Sequence, residues 1–565
     1  MAAACVALFA AADPAFATQT ASVAPQRAVA AAQDQELAGF AAKLHRSLKT
    51  RAAADLREAY AKRGHRPIWA RETDDGRIAF PNAEPLLEAL EAAAAHALPV
   101  TRYRPEALRA RLVAFAELTQ DPSDPAWLRQ AAELERDLSR SFVDYARDVS
   151  SGAIEPRKAD KDIKVKPRRP DPTALLTDVG AAIDKRYHIA RLAPQSDDYR
   201  LLLVEYARAL EAARQASEAP PLRTRKTLKP GETRPQVVSL RERLEALGAV
   251  PASFNAIARE EGRSDTFDDG LADAVRAFQR RNGLAVDAVV GPQTRRALNT
   301  SPVALAEQIA VNLERIRWRN YDLGRRHLRV NLANFEVELI EDGETIFRSD
   351  VVVGKAKDHE TPEFSDEMTH IVFNPVWHVP YSIATEEILP KVQDYPGYIE
   401  AKNMWVSGPG GGFEDPWYID WSALSPEFFP YRIKQRSGSG NALGEVKFIF
   451  PNQYSIYLHD TPAKKLFRRS YRAFSHGCVR VAEPQALAEA LLAVEEADPA
   501  RFYRRATRGD RERHRELREP VPIHLTYRTA WVDRDGVLQL RPDFYRRDGR
   551  VAHALRRAGV ALPDA

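Results

Sequence analysis

The spacing of apolar residues divides the chain into two main regions. In residues 35–216 apolar side chains recur at three- and four-residue intervals, as in Leu134, Leu138 and Phe142. That spacing is typical of amphipathic helices. From about Ile309 onward this periodicity changes, and residues 326–354 alternate between apolar and polar, which is typical of strands. The pattern therefore predicts a helical N-terminal region and a sheet-rich C-terminal region.

A linker and a small helical unit are predicted between these regions. Residues 217–235, SEAPPLRTRKTLKPGETRP, are rich in Pro, Arg and Lys, as expected of a linker. Residues 236–300 contain two amphipathic faces, one through Val237 and Leu240 and the other through Leu271. We therefore expect a separate small helical unit here.

The alternating pattern of the C-terminal region, residues 301–565, is interrupted by one long segment. Residues 326–354 alternate and turn at Asp342-Gly343, which predicts consecutive hairpins. Residues 376–440 then carry Pro, Gly and many aromatic residues. A long insertion of this kind between core strands is typical of a lid over a site.

The first residues resemble a processing signal rather than part of a domain. Residues 1–17 form an apolar stretch with an AxA-like cleavage site, but no Lys or Arg precedes it, so we expect that the signal is incomplete. Residues 18–34 are rich in Ala, Gln and Thr and are predicted to be disordered. No later stretch has the apolar length of a membrane span, so we expect at most an N-terminal membrane tether.

Composition narrows the class of protein only slightly. The 565 residues are 29% charged and 44% hydrophobic, with a net charge of +4, which is ordinary for a globular protein. Nothing in this balance indicates nucleic acid as a partner, and we expect none. The two cysteines are Cys5, in the signal-like stretch, and Cys478. A single remaining thiol in an exported protein cannot form a structural disulfide within the chain, so Cys478 is a candidate for chemistry.

Cys478 lies in the tetrad Ser475-His476-Gly477-Cys478, and His459 lies 19 positions upstream. A thiolate is a strong nucleophile, and a nearby imidazole can take its proton and return it to a leaving amine. This pairing is the minimum equipment for acyl transfer. An isolated buried cysteine would more often be a structural residue.

The local pattern predicts how these groups are placed. Residues 449–460 alternate as a strand that ends near His459, and residues 482–497 read as a helix. Cys478 would then lie on a short connection into a helix, where free backbone N–H groups favour a thiolate and could hold an oxyanion. Asp460 would point to the opposite face of the strand from His459, so the group that orients the imidazole stays open.

The stretch from Ser437 to Val481 resembles the catalytic signature of L,D-transpeptidases, in particular the large proteobacterial type with a scaffold domain. The resemblance is carried by NALG, KF, FPN, IYLHDTP, LF and SHGCVRV. It implies Cys478 as the nucleophile and His459 as its base. It also implies Ser475, His476 and Gly477 as the residues around the nucleophile. Arg480 and Tyr457 are the residues expected to bind substrate.

Two further segments resemble parts of the same proteins. Residues 59–70 and 141–156 are similar to the scaffold domain, and AVRAFQRRNGL with VVGPQTRRALN, within 236–300, is similar to the peptidoglycan-binding type 1 module. The resemblance implies a multidomain fold: a mixed β catalytic domain with a lid at about 376–440, an α-helical scaffold domain at 35–216, and a small three-helix module.

The resemblance also implies a function. The enzyme would release D-alanine from a peptidoglycan tetrapeptide stem and form 3→3 cross-links in the periplasm. Its partners would be donor and acceptor stem peptides, with glycan strands as a further partner of residues 236–300. An L,D-carboxypeptidase, an enzyme that attaches outer-membrane proteins to peptidoglycan, and a non-catalytic wall-binding protein are the alternatives. The SxxK, KTG and HExxH motifs of serine transpeptidases and zinc peptidases do not occur. No metal or cofactor is expected.

Overall fold

A computed structural model describes most of the chain. The described ranges are 38–49, 53–73, 77–118, 124–215 and 220–563. The signal-like segment 1–17 and the stretch 18–34, which is predicted to be disordered, lie outside the described residues.

The N-terminal region is helical, as its three- and four-residue spacing predicts. The helices are α1 (Ala38–Ser47), α2 (Ala54–Lys62), α3 (Ala83–Glu91), α4 (Val100–Tyr103), α5 (Pro105–Glu117), α6 (Pro125–Ser151), α7 (Pro156–Ala159), α8 (Pro172–Ala181), α9 (Lys185–Ala190) and α10 (Asp197–Arg214). A short hairpin, β1 (Arg71–Glu72) and β2 (Ile78–Ala79), lies between α2 and α3. Asp124 accepts a hydrogen bond from the N–H of Ala126 at the start of α6, and Gly152 ends that helix with a φ of +98°.

The small unit that follows contains four helices rather than the three expected. They are α11 (Pro235–Ala246), α12 (Ala252–Glu260), α13 (Asp269–Arg281) and α14 (Pro292–Leu298). The two predicted amphipathic faces belong to α11 and α13. The helix α12 lacks a clear buried apolar face, because of its residues only Asn255 and Ala258 are buried.

The C-terminal region contains most of the strands. These are β3 (Arg326–Asn331), β4 (Glu336–Glu341), β5 (Glu344–Gly354), β6 (Phe364–Phe373), β7 (Trp377–His378), β8 (Met404–Ser407), β9 (Phe413–Glu414), β10 (Arg432–Gln435), β11 (Val446–Ile449), β12 (Leu458–His459), β13 (Ala473–Ser475), β14 (Val479–Val481), β15 (Arg513–Thr526), β16 (Ala530–Val532) and β17 (Leu538–Leu540). Its helices are α15 (Pro302–Arg317), α16 (Tyr381–Ile383), α17 (Leu389–Asp394), α18 (Tyr398–Ala401), α19 (Pro484–Leu492), α20 (Pro499–Ala506) and α21 (Arg547–Arg557).

Nine strands form one mixed sheet, in the order β13-β5-β14-β12-β11-β6-β15-β3-β4. Because β4 also pairs with β5, eight of these strands close into a ring. The hairpins predicted for 326–354 are confirmed as β3, β4 and β5, and Asp342 and Gly343 make their turn with positive φ angles. The ring and the helices α19 and α20 enclose one apolar core.

The scaffold helices share their core with two segments that lie beyond the scaffold in sequence. Helix α15 contributes Ile309 and Leu313, and Trp318 follows directly after it; all three are fully buried, and the chain after residue 529 contributes Val551 and Leu555 of α21. The region predicted as catalytic is therefore packed into the helical region at both of its ends. This continuous core holds the two regions together.

The helical unit of 235–298 is held against the hairpin β16–β17. Arg281 at the end of α13 donates from its Nε to the carbonyl of Leu538, and Arg541 donates back to the carbonyl of Arg281. The Arg541 side chain also lies directly on Gly283, where a Cβ would come within 2.3 Å of the Arg541 Cδ. With a φ of +61°, the position of Gly283 favours glycine, and a larger residue there would also have to displace the Arg541 side chain.

Two elements around the candidate site differ from prediction. The strand predicted for 449–460 is broken, because β11 ends at Ile449 and β12 spans only Leu458–His459. The helix predicted for 482–497 is shorter and spans Pro484–Leu492. Pro451 cannot donate to a strand ladder, and the Asn452 side chain caps the intervening loop.

The predicted lid is a folded subdomain with a core of its own. Strands β7, β10, β8 and β9 form a separate four-stranded antiparallel sheet. Ile388, Val392, Ile399 and Trp421 are among the buried residues of its own apolar cluster. An insertion that buries its own core can move as a unit over the sheet.

Candidate active site

The site is built on two neighbouring parallel strands, β12 and β14. Leu458 pairs with Val479, and both side chains are fully buried in the core of the ring. Because side chains alternate along a strand, His459 and its cross-strand partner Arg480 face the other side of the sheet. Cys478 directly precedes β14 and lies on the same side as Arg480. The fold therefore places the thiol and the imidazole that the sequence predicted on neighbouring strands and on the same face of the sheet.

The imidazole of His459 is oriented by the backbone of the next residue. Its Nδ1 lies 2.5 Å from the carbonyl oxygen of Asp460, which can only accept, so Nδ1 carries the proton and Nε2 is left as the acceptor. The Asp460 carboxylate points away, as expected, and accepts hydrogen bonds from the N–H groups of Glu445 and Thr461 and from Lys464. The group that orients the imidazole, which the sequence left open, is therefore the main-chain carbonyl of Asp460.

The His459 imidazole is neutral in this setting. Burial, aided by the positive charge of Arg480, lowers the pKa of His459 to about 3, against the smaller opposing effect of the hydrogen bond to Asp460. A neutral imidazole with a free Nε2 is the form that a general base requires.

The thiol of Cys478 lies between Tyr457 and the loop before β12. Its Sγ is 3.6 Å from the carbonyl oxygen of Ser455, to which it donates. The hydroxyl and the backbone N–H of Tyr457 also lie within hydrogen-bonding reach of the sulfur. The ring of Tyr457 is 5.6 Å from that of His459, centroid to centroid. Tyr457, which the resemblance implies as substrate-binding, thus contacts the nucleophile itself.

Burial raises the pKa of the Cys478 thiol to about 11, although the two Tyr457 donors and Arg480 act in the opposite direction. The sequence reasoning placed Cys478 next to a helix N-terminus that would favour the thiolate. That expectation is wrong, because strand β14 separates Cys478 from the start of α19 at Pro484. In the resting site both the Cys478 thiol and the His459 imidazole are therefore neutral.

The turn from Ser475 to Cys478 is fixed by its own hydrogen bonds. The Ser475 hydroxyl donates to the carbonyl of Cys478 and accepts from the N–H of Gly477. The Thr361 hydroxyl, which sequence reasoning missed, donates to the carbonyl of Gly477. Gly477 has a φ of +114°, which strongly favours glycine.

These contacts decide which N–H groups can hold an oxyanion. The N–H of Gly477 is taken by Ser475. The N–H groups of His476 and Cys478 form no hydrogen bond within the described part of the chain. The predicted oxyanion site around His476 to Cys478 is thereby narrowed to two candidate donors.

The lid contacts the site through an acidic residue. Glu387, on the π-helical turn Ala384–Ile388, has its Oε1 2.6 Å from the Nε2 of His476. The ring of His359 lies 4.4 Å from that of His476. His476 is thus placed where it can hold the lid against the catalytic turn. Glu387 and His359 were not identified from the sequence.

Arg480 has an unused donor in this half-buried site. Its Nε is buried and has no hydrogen-bond partner within the described residues. Burial lowers the pKa of Arg480, while Cys478 and Glu387 act in the opposite direction. A guanidinium with an unpaired donor beside a nucleophile is suited to bind a substrate carboxylate.

Neither a metal cluster nor a membrane-spanning helix is found in the ranges that the structure describes. No group of three or more His, Cys, Asp or Glu side chains there could hold a metal ion. No described helix has the length and apolar character needed to cross a membrane.

A half-buried thiol, an imidazole oriented by the main chain and a glycine turn lie on one mixed sheet, and these are the kinds of group that acyl transfer by a cysteine uses. Family comparison specifies the class. Residues 325–523 match the family of L,D-transpeptidase catalytic domains, and residues 54–205 match the scaffold domain family. Residues 233–298 match a family described as a candidate peptidoglycan-binding domain. The chain therefore contains an L,D-transpeptidase catalytic domain, which confirms the resemblance seen in the sequence.

Comparison with individual proteins agrees with this. A Haemophilus influenzae protein, named as a candidate L,D-transpeptidase, is 33% identical over 249 residues. The aligned part is 44% of this chain and 49% of that relative, so the match spans about half the length of the relative.

Two solved structures cover similar shares of the chain. The L,D-transpeptidase of Xylanimonas cellulosilytica covers 54% of this chain and 98% of its own, with 15% identity and a TM-score of 0.18. A fused Zn-dependent amidase/peptidase/peptidoglycan-binding protein of Clostridium acetobutylicum covers 54% of this chain and all of its own, with 14% identity and a TM-score of 0.14. Scores this low support no argument about fold.

Proposed function

We propose that this protein is a cysteine-dependent L,D-transpeptidase that cross-links peptidoglycan. The observation that supports this most is the placement of Cys478 and His459 on the same face of two neighbouring strands, with Nδ1 of His459 held by a carbonyl, which leaves Nε2 available for the thiol proton. The donor would be a tetrapeptide stem, cut between the L-centre of its diamino acid and the terminal D-alanine.

Acylation follows from the resting state of the pair. Because thiol and imidazole are both neutral, the thiol proton moves to Nε2 of His459 as the sulfur attacks the carbonyl carbon. The S–C bond forms, and the oxyanion is held by the N–H groups of His476 and Cys478. Collapse breaks the C–N bond, and the imidazolium returns the proton to the amine of D-alanine. The product is a thioester on Cys478.

Resolution of the thioester uses the same groups. The side-chain amine of a second stem attacks the thioester carbon, and its proton passes through His459 to the departing sulfur. A 3→3 cross-link forms and the thiol is restored. If water attacks the thioester instead, the enzyme is an L,D-carboxypeptidase. If an amine of an outer-membrane protein attacks, the enzyme attaches that protein to peptidoglycan. A non-catalytic wall-binding role is disfavoured, because each catalytic group is present and oriented.

Tyr457 and Arg480 have distinct proposed roles. The Tyr457 hydroxyl and N–H would stabilise negative charge on sulfur as it develops, because both lie within reach of it. Arg480, with its unpaired Nε, would bind a carboxylate of the stem peptide. Ser475 and Gly477 would shape the turn and not contact substrate.

We also propose that glycan is bound where the module 235–298 meets the catalytic region. A cavity of about 750 Å³ lies there, with Arg296 of the module on one wall and Tyr471 and Phe544 on another. The Tyr471 ring is 40% exposed and meets Phe544 edge to face, which leaves an aromatic surface of the kind that packs on sugar rings. Tyr471→Ala should weaken binding of N-acetylglucosamine oligomers several-fold in calorimetry, while Tyr418→Ala, an exposed lid tyrosine, should not. Equal binding by both variants would show that Tyr471 is not part of a glycan-binding surface.

We further propose that the protein acts in the periplasm, where a substrate of this kind is found. Purified wild type and Cys478→Ala should be exposed to a carbapenem and compared by intact mass. We expect a stable adduct on the wild type alone, and muropeptide analysis then identifies the acceptor. Absence of an adduct on both proteins, together with unchanged muropeptides, would favour the non-catalytic role.

A further inference from the structure

A second cation lies beside the catalytic imidazole, on the side away from Arg480. Strand β11 runs antiparallel to β12, and Lys447 is directly opposite His459. Because directly paired residues project to the same face of a sheet, Lys447, His459 and Arg480 form a row across three adjacent strands. Cys478 lies outside this row, two positions before Arg480 and on the same face of the sheet. Lys447 was not singled out from the sequence, although it lies within the KF motif.

Lys447 lacks a partner of opposite charge. It is half-buried, and within the described ranges it forms no ion pair and no side-chain hydrogen bond. The carboxylate whose charge acts on Lys447 is Glu512, but it accepts hydrogen bonds from the N–H of Val376 and from His514 instead. A half-buried ammonium without a partner is costly, and a bound carboxylate would offset that cost.

The order of the three groups matches the order of atoms at the bond to be cut. The acyl carbon must lie at Cys478, and the leaving nitrogen must lie over His459, which returns its proton. The next group in the row is the ammonium of Lys447. In D-alanine the carboxylate is attached to the carbon that carries the amine, so it lies two bonds beyond the leaving nitrogen.

We propose that Lys447 binds the terminal carboxylate of the leaving D-alanine and makes the site specific for stems that end in a free D-amino acid. This rests on the proposed function, since it concerns the donor of the same reaction. It leaves Arg480 for a carboxylate on the acyl side. A stem extended or amidated at its C-terminus would leave the Lys447 ammonium unpaired and would be rejected.

The test compares two donors that differ only at the C-terminus. Tetrapeptide stems ending in D-alanine or D-alaninamide are given to the full chain, and kcat/KM is measured from release of the terminal residue. We expect the wild type to prefer the free acid by on the order of 100-fold, as for loss of one partner of a close charge pair. In Lys447→Met the acid should lose this advantage, while the rate with the amide changes little.

Two variants keep the result interpretable. Lys447→Arg retains the charge and should retain most of the preference, which also shows that the position tolerates substitution. Lys434→Met removes a lysine on lid strand β10, which lies over the ring of Trp405, and should leave the preference intact. Loss of preference in Lys434→Met as well would assign the effect to general positive charge and overturn the proposal.

The outcomes separate this inference from the function on which it rests. A wild type that releases D-alanine but accepts the amide equally overturns the role of Lys447 alone, as does a Lys447→Met variant that keeps the preference. A wild type that acts on neither donor overturns the proposed function and this inference with it.

Discussion

Two buried ionisable sites of this protein are built in opposite ways. In the helical region the fully buried Glu135 accepts hydrogen bonds from the Tyr60 hydroxyl, at 2.7 Å, and from the N–H groups of Ile68, Trp69 and Ala70. Burial raises the pKa of Glu135, and these donors oppose that rise. Its oxygens are satisfied within the protein, so it can hold the chain in place but has no acceptor left for a ligand.

The catalytic site leaves its polar groups partly unused. The Nε2 of His459, the Nε of Arg480 and the ammonium of Lys447 have no partner within the described residues. The cost of burying such groups is met elsewhere, by the ring of strands and its apolar core. The comparison teaches that the protein satisfies the oxygens of Glu135 internally, whereas the groups around His459 keep hydrogen-bonding capacity that a ligand could use.

The largest expected effect is on the unused imidazole. His459→Gln keeps a polar side chain of similar length but has no basic nitrogen, so the rate of Cys478 acylation by a carbapenem should fall roughly 10²–10⁴-fold. Time-resolved intact mass measures it. His553→Gln, which alters an exposed histidine of α21, serves as the control. A His459→Gln rate within a few-fold of wild type would show that the imidazole is not the base.

A change at the hydrogen-bonded Glu135 site should lower the stability of the fold. Glu135→Ala leaves several buried donors unpaired, so the free energy of unfolding should fall by about 3 kcal/mol. Urea denaturation measures it, with Glu117→Ala on the exposed end of α5 as the control. The folded fraction should still be acylated at the wild-type rate. A change in the acylation rate without a loss of stability would show that Glu135 acts on the Cys478 site and not on the stability of the fold.

The Cys478 thiol should lose its proton only at high pH. Because burial raises the pKa of Cys478 to about 11, the thiolate fraction keeps growing as pH rises from 7 to 10. Alkylation by iodoacetamide should therefore accelerate through this range without levelling off, by roughly tenfold per pH unit, whereas an ordinary thiol levels off near pH ~8.5. Tyr457→Phe removes one donor and should slow alkylation a few-fold further. A plateau below pH 8 in the wild type would indicate a preformed thiolate.

The smallest expected effect concerns the lid. Glu387→Gln weakens the contact with His476, so the turn Ala384–Ile388 should exchange its amide hydrogens faster, and acylation should change only a few-fold. Hydrogen exchange detected by mass spectrometry measures it. Glu386→Gln, at the exposed neighbouring position, should leave exchange unchanged. Equal exchange in both variants would mean that Glu387 does not hold the lid.

The sequence by itself determined the classes of element and the reacting groups. Helical spacing, strand alternation and the Asp342-Gly343 turn are local properties, so they predicted the helical region and the hairpins β3–β5. The SHGC tetrad and His459 could be found because a thiol and an imidazole are chemically distinctive. The family match confirmed the resemblance that these residues carry.

Tertiary structure decided how these groups are held and charged. A main-chain carbonyl orients His459, and a main-chain atom leaves no signal in the residue types. The Thr361 hydroxyl that holds Gly477 and the core shared by α15 and α21 come from segments that are distant in sequence. The pKa of Cys478 was misjudged for the same reason, since burial outweighs the local pattern. Lys447 gained its place from strand pairing, because register puts residues 12 positions apart side by side.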